Sequence, residues 1–295
     1  MEIRQIEYFL KVAECGGISQ AAEALGISQP HLSRQIRALE QEWGWALFQR
    51  SGRGVRLTPK GEVSLREMQR VQRVLHSALR NMQRENGVQH LRIGYAPSLT
   101  SRFLHQVLDR YRQQFPETQL SLHDASSREM QEGITNGTLD LILGAEFPTD
   151  DISWTPLFTY DHLIVCRADH PLATAANLTP TDLDQQRLLL FSRHDYPAYW
   201  DKLLAYFAQH GINAKIAGEF DGIESLLTAI KAGLGIALLT TSSRSQLSAH
   251  QLTGLTLTPP IPPQQVSIGV PAYQATDSPT ADFLAICSAL VGPEA

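Results

Sequence analysis

From Ser28 to Lys60 the chain carries six bases, Arg34, Arg37, Arg50, Arg53, Arg56 and Lys60, against two acids, Glu40 and Glu42. Guanidinium forks fit phosphate oxygens and the paired acceptors of guanine, and the amide of Gln29 fits adenine in the same two-point manner. Leu32, Ile36, Leu39 and Trp43 recur at helical spacing, which turns Pro30, Ser33, Arg34 and Arg37 to the opposite face. That face joins short hydrogen-bonding groups to cations, the chemistry that reads base edges and holds phosphates in a major groove. A generic amphipathic helix with a solvated basic face is the plainer alternative, and the surrounding elements weaken it.

Those elements are legible from periodicity and caps. Ile3, Ile6, Phe9, Leu10 and Ala13 predict a first helix stopped at Gly16-Gly17. Ser19 stands at the start of a second, short helix whose inner stripe is Ala21, Ala22 and Leu25 and which ends at Gly26. Ser28 as N-cap and Pro30 in the first turn begin the third. Two helices joined by a turn of about three residues make a helix-turn-helix. Gln49 to Leu57 reads as a hairpin around a glycine-bearing turn, a wing whose arginines, Arg53 above all, can reach the backbone or the adjacent minor groove. Thr58 and Pro59 then start a helix of about 28 residues, about 40 Å long. Its stripe of Met68, Val71, Leu75, Ala78, Leu79 and Met82 needs a partner. The same helix of a second subunit would set two recognition helices one turn of DNA, or a multiple, apart; packing on the chain's own body is the alternative. Asn86-Gly87 breaks the helix.

From Leu91 the texture changes to apolar strands alternating with helices, which implies parallel sheets with right-handed crossovers. Strands are expected at 91–96, 118–123, 139–144, 162–167, 188–191, 214–220, 235–240 and 265–270, and helices at 101–115, 127–136, 197–209, 222–232 and 279–291. The fold class is therefore an α/β body of two lobes behind an N-terminal all-α winged helix-turn-helix domain and a long linker helix. Expected boundaries are 1–58 for the winged domain, 59–87 for the linker, 91–161 plus 266–295 for lobe I and 162–265 for lobe II. Small ligands bind such a body in the crevice outside the carboxyl ends of its strands. The first strand runs through Ala96-Pro97 into Ser98, Leu99 and Thr100, whose hydroxyls and free N–H groups could receive a carboxylate. Capping of the following helix is the competing role for Ser98 and Thr100. Matching strand ends elsewhere offer Ser126, Phe147, Ser192, Arg193, His194, Phe220, Asp221 and Ile223, for which a solvated loop is the equal alternative.

Composition sets limits. With 295 residues, 43 % hydrophobic and 19 % charged, the chain can form two or three globular domains. No apolar run approaches the roughly 20 residues of a membrane span, and the N-terminus lacks a secretory layout, so a cytoplasmic location is expected. The net charge of −5 hides an asymmetry: residues 1–90 hold 13 Lys/Arg and 9 Asp/Glu, residues 91–295 hold 12 and 21. A basic head on an acidic body suits a polyanion partner. Cys15, Cys166 and Cys287 stand apart without a CxxC, which disfavours zinc and disulfides and leaves a Cys166/Cys287 redox switch as a minor alternative. No Walker loop, G-x-S-x-G or H-E-x-x-H occurs, so no catalytic residue, cofactor or metal is expected. Gly233-Leu234-Gly235 imitates part of a dinucleotide fingerprint but follows a helix, where it acts as a stop.

The run ISQAAEALGISQPHLSRQIRALEQEWGWALFQR, followed by RGVRLTPKGE and an IGYAP strand, resembles the LysR-type transcriptional regulators over the whole chain. The resemblance implies a winged DNA-binding domain with a periplasmic-binding-protein-like effector domain, dimers that assemble into tetramers, and transcription controlled by a small organic or aromatic acid. It implies double-stranded promoter DNA and RNA polymerase as partners. Gln29, Pro30, Ser33 and Arg34 lie where that family's recognition helix meets DNA, and Arg53 at its wing; Ser19 and Arg37 complete the expected interface. Trp43-Gly44-Trp45 departs from the smaller aliphatics usual there, and the two indoles are expected to fill the core or the wing base. A cytosolic solute-binding protein and a redox-sensing regulator are the alternatives, the first of which leaves residues 1–90 unexplained.

Overall fold

The computed structural model describes residues 2–52, 54–82, 89–175, 178–272 and 279–291. The chain divides into two units, Met1–Gln83 and Arg84–Ala295.

In the first unit α1 (Ile3–Cys15), α2 (Ile18–Ala24) and α3 (Gln29–Trp43) close around Phe9, Val12, Ala21, Leu32, Ile36 and Leu39. Gly16 ends α1 at φ +64, a conformation that a side chain makes costly. The hairpin of β1 (Phe48–Ser51) and β2 (Gly54–Leu57) pairs Phe48 with Leu57 and Ser51 with Gly54. Glu40 ties α3 to this wing, its Oε1 accepting the N–H groups of Leu47 at 2.7 Å and Phe48 at 3.2 Å. From the other side Val55 N–H donates to the Gly16 carbonyl at 3.0 Å. Gly54 permits that approach, since a Cβ there would sit 2.5 Å from the same oxygen.

Helix α4 (Pro59–Met82) is 24 residues long, about 36 Å at 1.5 Å per residue. Thr58 caps it, accepting Gly61 N–H at 2.9 Å while donating to the Ala46 carbonyl at 2.7 Å. Leu65 and Met68 pack on the helix-turn-helix core, whereas Val71, Val74 and Leu79 are exposed. The expected breaker Asn86-Gly87 lies outside the described residues, as does Arg53 at the wing tip. The two indoles part company. Trp43 packs edge-on to Phe9 at 6.2 Å, but Trp45 does not fill a core: it is 37 % exposed, with its N–H on Ser64 Oγ at 3.2 Å and Lys60 Nζ 5.0 Å above its ring.

In the second unit two five-stranded sheets form two lobes. The first has the order β4 (Gln119–Asp124), β3 (His90–Tyr95), β5 (Leu141–Ala145), β12 (Gln264–Pro271), β6 (Ile152–Tyr160). The second runs β11 (Leu252–Leu255), β7 (His162–Arg167), β10 (Ile236–Thr240), β8 (Arg187–Phe191), β9 (Lys215–Phe220). Helices α5 (Pro97–Gln114), α6 (Ser127–Thr135) and α10 (Pro279–Leu290) clothe the first, and α7 (Pro197–His210), α8 (Ile223–Lys231) and α9 (Arg244–Ala249) the second. The sheets are mixed rather than parallel: β12 runs antiparallel to β5 and β6, and β7 antiparallel to β10 and β11. β6 and β11, both edge strands, were not among the expected strands, and β6 carries Pro156, which an edge strand tolerates, next to a register shift against β12. The chain crosses between lobes at Asp161 and again before Gln264.

Arg92 and Asp140 lock the root of the first sheet, with Nη2 to Oδ1 at 2.7 Å, Nε to Oδ2 at 3.0 Å and the Arg92 N–H to Oδ2 at 2.8 Å. Cys166 and Cys287 are buried in separate hydrophobic cores. Burial pushes the thiol of Cys166 up and that of Cys287 to about 12, which withholds the thiolate that a redox switch needs. Among the described residues no helix is long and apolar enough to cross a membrane.

Candidate functional site

Two surfaces carry chemistry, one on each unit. On the first, α3 buries Leu32, Ile36 and Leu39 and turns Gln29, Pro30, Arg34 and Arg37 to solvent, with Ser33 half-buried between them. Gln29 Nε2 donates to Ser33 Oγ at 3.2 Å, one turn along, which orders the amide along the exposed face. Among the described residues neither Arg34 nor Arg37 has an ion-pair partner, so both guanidinium forks are available to an external acceptor. Ser19 is exposed in the first turn of α2, and Arg50 and Arg56 are exposed on the wing strands.

On the second unit a cleft opens where β3, β5, β8 and β10 end. One wall comes from the first lobe: Ser98 and Leu99 in the opening turn of α5, Met130 on α6, and Glu146 just past β5. The facing wall comes from the second: His162 at the start of β7, Phe191 at the end of β8, Tyr196 just ahead of α7, Tyr199 and Lys202 on it, and Ser243 after β10. Hydrogen bonds already bridge the lobes around it. Ser242 Oγ donates to the Ser98 carbonyl at 2.6 Å, and the N–H of Arg128, in the first turn of α6, donates to the Asp195 carbonyl at 3.1 Å.

Burial sets the electrostatics. It lowers the basicity of His162, and the neighbouring Lys202 charge works the same way against a Pro262 carbonyl that favours the proton. Tyr199 is pushed well above the ordinary phenol range by burial alone, and Tyr196 up to about 12 by burial with help from Asp124 and Glu129. Glu146 accepts Ser267 Oγ at 2.5 Å.

Of the strand-end residues expected in the cleft, Ser98 and Leu99 line it. The others are engaged elsewhere. Thr100 is fully buried, because α5 starts at Pro97 rather than four residues later, and its hydroxyl donates to the Ala96 carbonyl at 2.9 Å. Ser126 caps α6 by accepting Glu129 N–H at 3.2 Å, while its neighbour Ser127 reaches the cleft. Phe147 packs edge-on to Trp154 at 5.1 Å, and Ile223 and Phe220 join the core beneath α8. Ser192 Oγ holds the turn at Asp195 N, Arg193 lies over Trp200 at 5.5 Å, and His194 faces the Arg128 guanidinium at 3.5 Å. Asp221 accepts Ser225 Oγ at 2.9 Å at the head of α8. His162, Glu146, Tyr196, Tyr199 and Lys202 were not foreseen. The signal for two of them was the i, i+3 spacing of Tyr199 and Lys202, which puts both on one side of α7, with Tyr196 preceding the helix.

Comparison with known proteins bears on both surfaces. Residues 3–62 match the family described as bacterial regulatory helix-turn-helix protein, lysR family, and residues 84–291 match the LysR substrate binding domain. The HTH-type transcriptional regulator TfdS of Cupriavidus pinatubonensis is 31 % identical over 250 residues, covering 82 % of this chain and 83 % of that one. The nitrogen assimilation regulatory protein nac of Escherichia coli is 30 % identical over 291 residues, 95 % of this chain and 92 % of its own. Full-length BenM in its crystal structure superposes with a TM-score of 0.58 at 26 % identity, covering 98 % of this chain and 96 % of that one.

Proposed function

Because the chain belongs to the LysR family of DNA-binding transcriptional regulators, we propose that the outward face of α3 is its operator-reading surface and the interlobe cleft its effector site. Gln29 and Arg34 read base edges, Ser33 and Arg37 reach bases or phosphates, and Ser19 with the wing arginines holds the backbone; Arg53 belongs to this set by its place in the wing sequence. The observation that carries the reading is the pair of exposed guanidinium groups, without an ion-pair partner among the described residues, beside Gln29 and Ser33. The exposed Val71, Val74 and Leu79 on α4 support pairing of two subunits through this helix, as a dimer or within a tetramer. Domain boundaries follow at 1–58, 59–87, 91–161 with 266–295, and 162–265.

The cleft takes a small organic acid, and its occupancy alters the equilibrium between body conformations, which changes how the subunits sit on DNA and how RNA polymerase is engaged. The protein works in the cytoplasm as a regulator and not as a catalyst. Gel shifts with the intergenic DNA beside its own gene test the first half of this reading: wild type shifts the fragment and Arg34→Ala does not at equal concentration. Thermal-shift screening of organic acids, repeated on Ala198→Trp to plug the cleft, tests the second. Stabilisation that survives the plug places the effector elsewhere.

A further inference from the structure

Three residues lining one wall of the cleft each carry a buried polar atom without a hydrogen-bond partner among the described residues: the Tyr199 hydroxyl, Ser243 Oγ and His162 Nδ1. A buried polar group left unpaired is costly, so three around one cavity describe what the missing occupant must supply. Their roles differ. Burial keeps the His162 ring neutral, and with the ring proton on Nε2 the unpartnered Nδ1 presents a lone pair. On the facing wall Glu146 is another acceptor, with Oε1 already taken by Ser267. The two hydroxyls can donate, and Lys202 brings a positive charge that has no ion-pair partner among the described residues. Leu99, Met130, Phe191 and Leu238 supply apolar contact between the polar groups.

A plain carboxylate satisfies Lys202 and the hydroxyls but has no hydrogen to offer Nδ1, and it faces the Glu146 charge. We infer that the effector is a small acid that also carries a hydroxyl, with the carboxylate toward Lys202, Tyr199 and Ser243 and the hydroxyl's hydrogen toward His162 and Glu146. This rests on the cleft being the effector site. A site built around a ligand O–H rejects the analogue that lacks it, because its own acceptor is then left buried and unpaired.

The test measures direct binding to the full-length protein by calorimetry in two matched series. One is butyrate, 3-hydroxybutyrate and 3-methoxybutyrate; the other is benzoate, its three hydroxy isomers and their methyl ethers. Expected is at least one hydroxy acid that binds about tenfold or more tightly than both its parent acid and its methyl ether. That preference shrinks to about twofold or less in His162→Phe and in Glu146→Gln. Equal affinity for hydroxy acid, parent and ether overturns the inference, as does failure of every hydroxy acid to bind at millimolar concentration. The plug Ala198→Trp separates the two ideas: acids that bind without a hydroxyl preference and are expelled by Trp leave the cleft reading standing, while acids that bind equally to the plugged protein remove it.

Discussion

The exposed face of α3 and the interlobe cleft are opposite solutions to recognition. On α3 the charges stand in water, where Arg34 and Arg37 lose little hydration and cost the fold little. Around the cleft, polar atoms of lining residues are buried without partners among the described residues and subtract from stability until a ligand arrives. A long polyanion is met with uncommitted charge on a rigid outer surface, and a small molecule with unsatisfied valence inside. The first surface should therefore be separable from folding, and the second should not.

The largest effect that can break this contrast is at Arg34. Arg34→Ala should weaken operator binding by about 1–3 kcal/mol, the range of a two-point base contact, while moving thermal stability by no more than about 0.5 kcal/mol; a large loss of stability would show that the side chain is structural. Next comes Glu40→Ala, which strips two wing N–H groups of their acceptor and should destabilise the first unit by about 1–2 kcal/mol. Proteolysis should then cut the wing while the second unit keeps its melting temperature.

Acid should destabilise the second unit by less than that. His162 and His170 have folded proton affinities lowered by burial, so the unfolded chain takes up protons first as pH falls below the ordinary 6.5. Their contribution is complete above that value and is lost toward the depressed folded pKa. His162→Leu should flatten the melting temperature against pH across this window, and an unchanged slope would remove His162 from the account. The smallest expected effect sharpens the contrast most: Tyr199→Phe removes an unpartnered hydroxyl and should leave apo stability unchanged or raised by up to about 1 kcal/mol, yet weaken acid binding. A Tyr199→Phe protein that is clearly less stable would mean that the hydroxyl is already satisfied.

How much of each surface could be read in advance follows from its geometry. The recognition face is local: Leu32, Ile36 and Leu39 fix which side of α3 is inside, and Gln29, Arg34 and Arg37 follow by rotation. The wing is local as well, except for the Glu40 carboxylate and the Gly54 approach to Gly16, which link residues distant in sequence. The cleft is assembled from strand ends that meet only when both sheets are complete. Ser98 and Leu99 could be placed because they follow β3 directly, but Thr100 fell on the wrong side once α5 proved to begin at Pro97. His162 stands at the first residue after a lobe crossing, and its importance comes from burial that no local pattern reveals. β6 was hidden by its own proline and by the lack of a regular alternation, only Ile152 and Leu157 of its nine residues being buried.

Trp45 gives the first unit a built-in optical probe. Its indole stands where the wing leaves for the long helix, with an ammonium above the ring and a serine on its nitrogen. Emission from that ring depends on both neighbours, so any rearrangement of the junction when two subunits close on a duplex should register as a change in colour or quenching without an added dye.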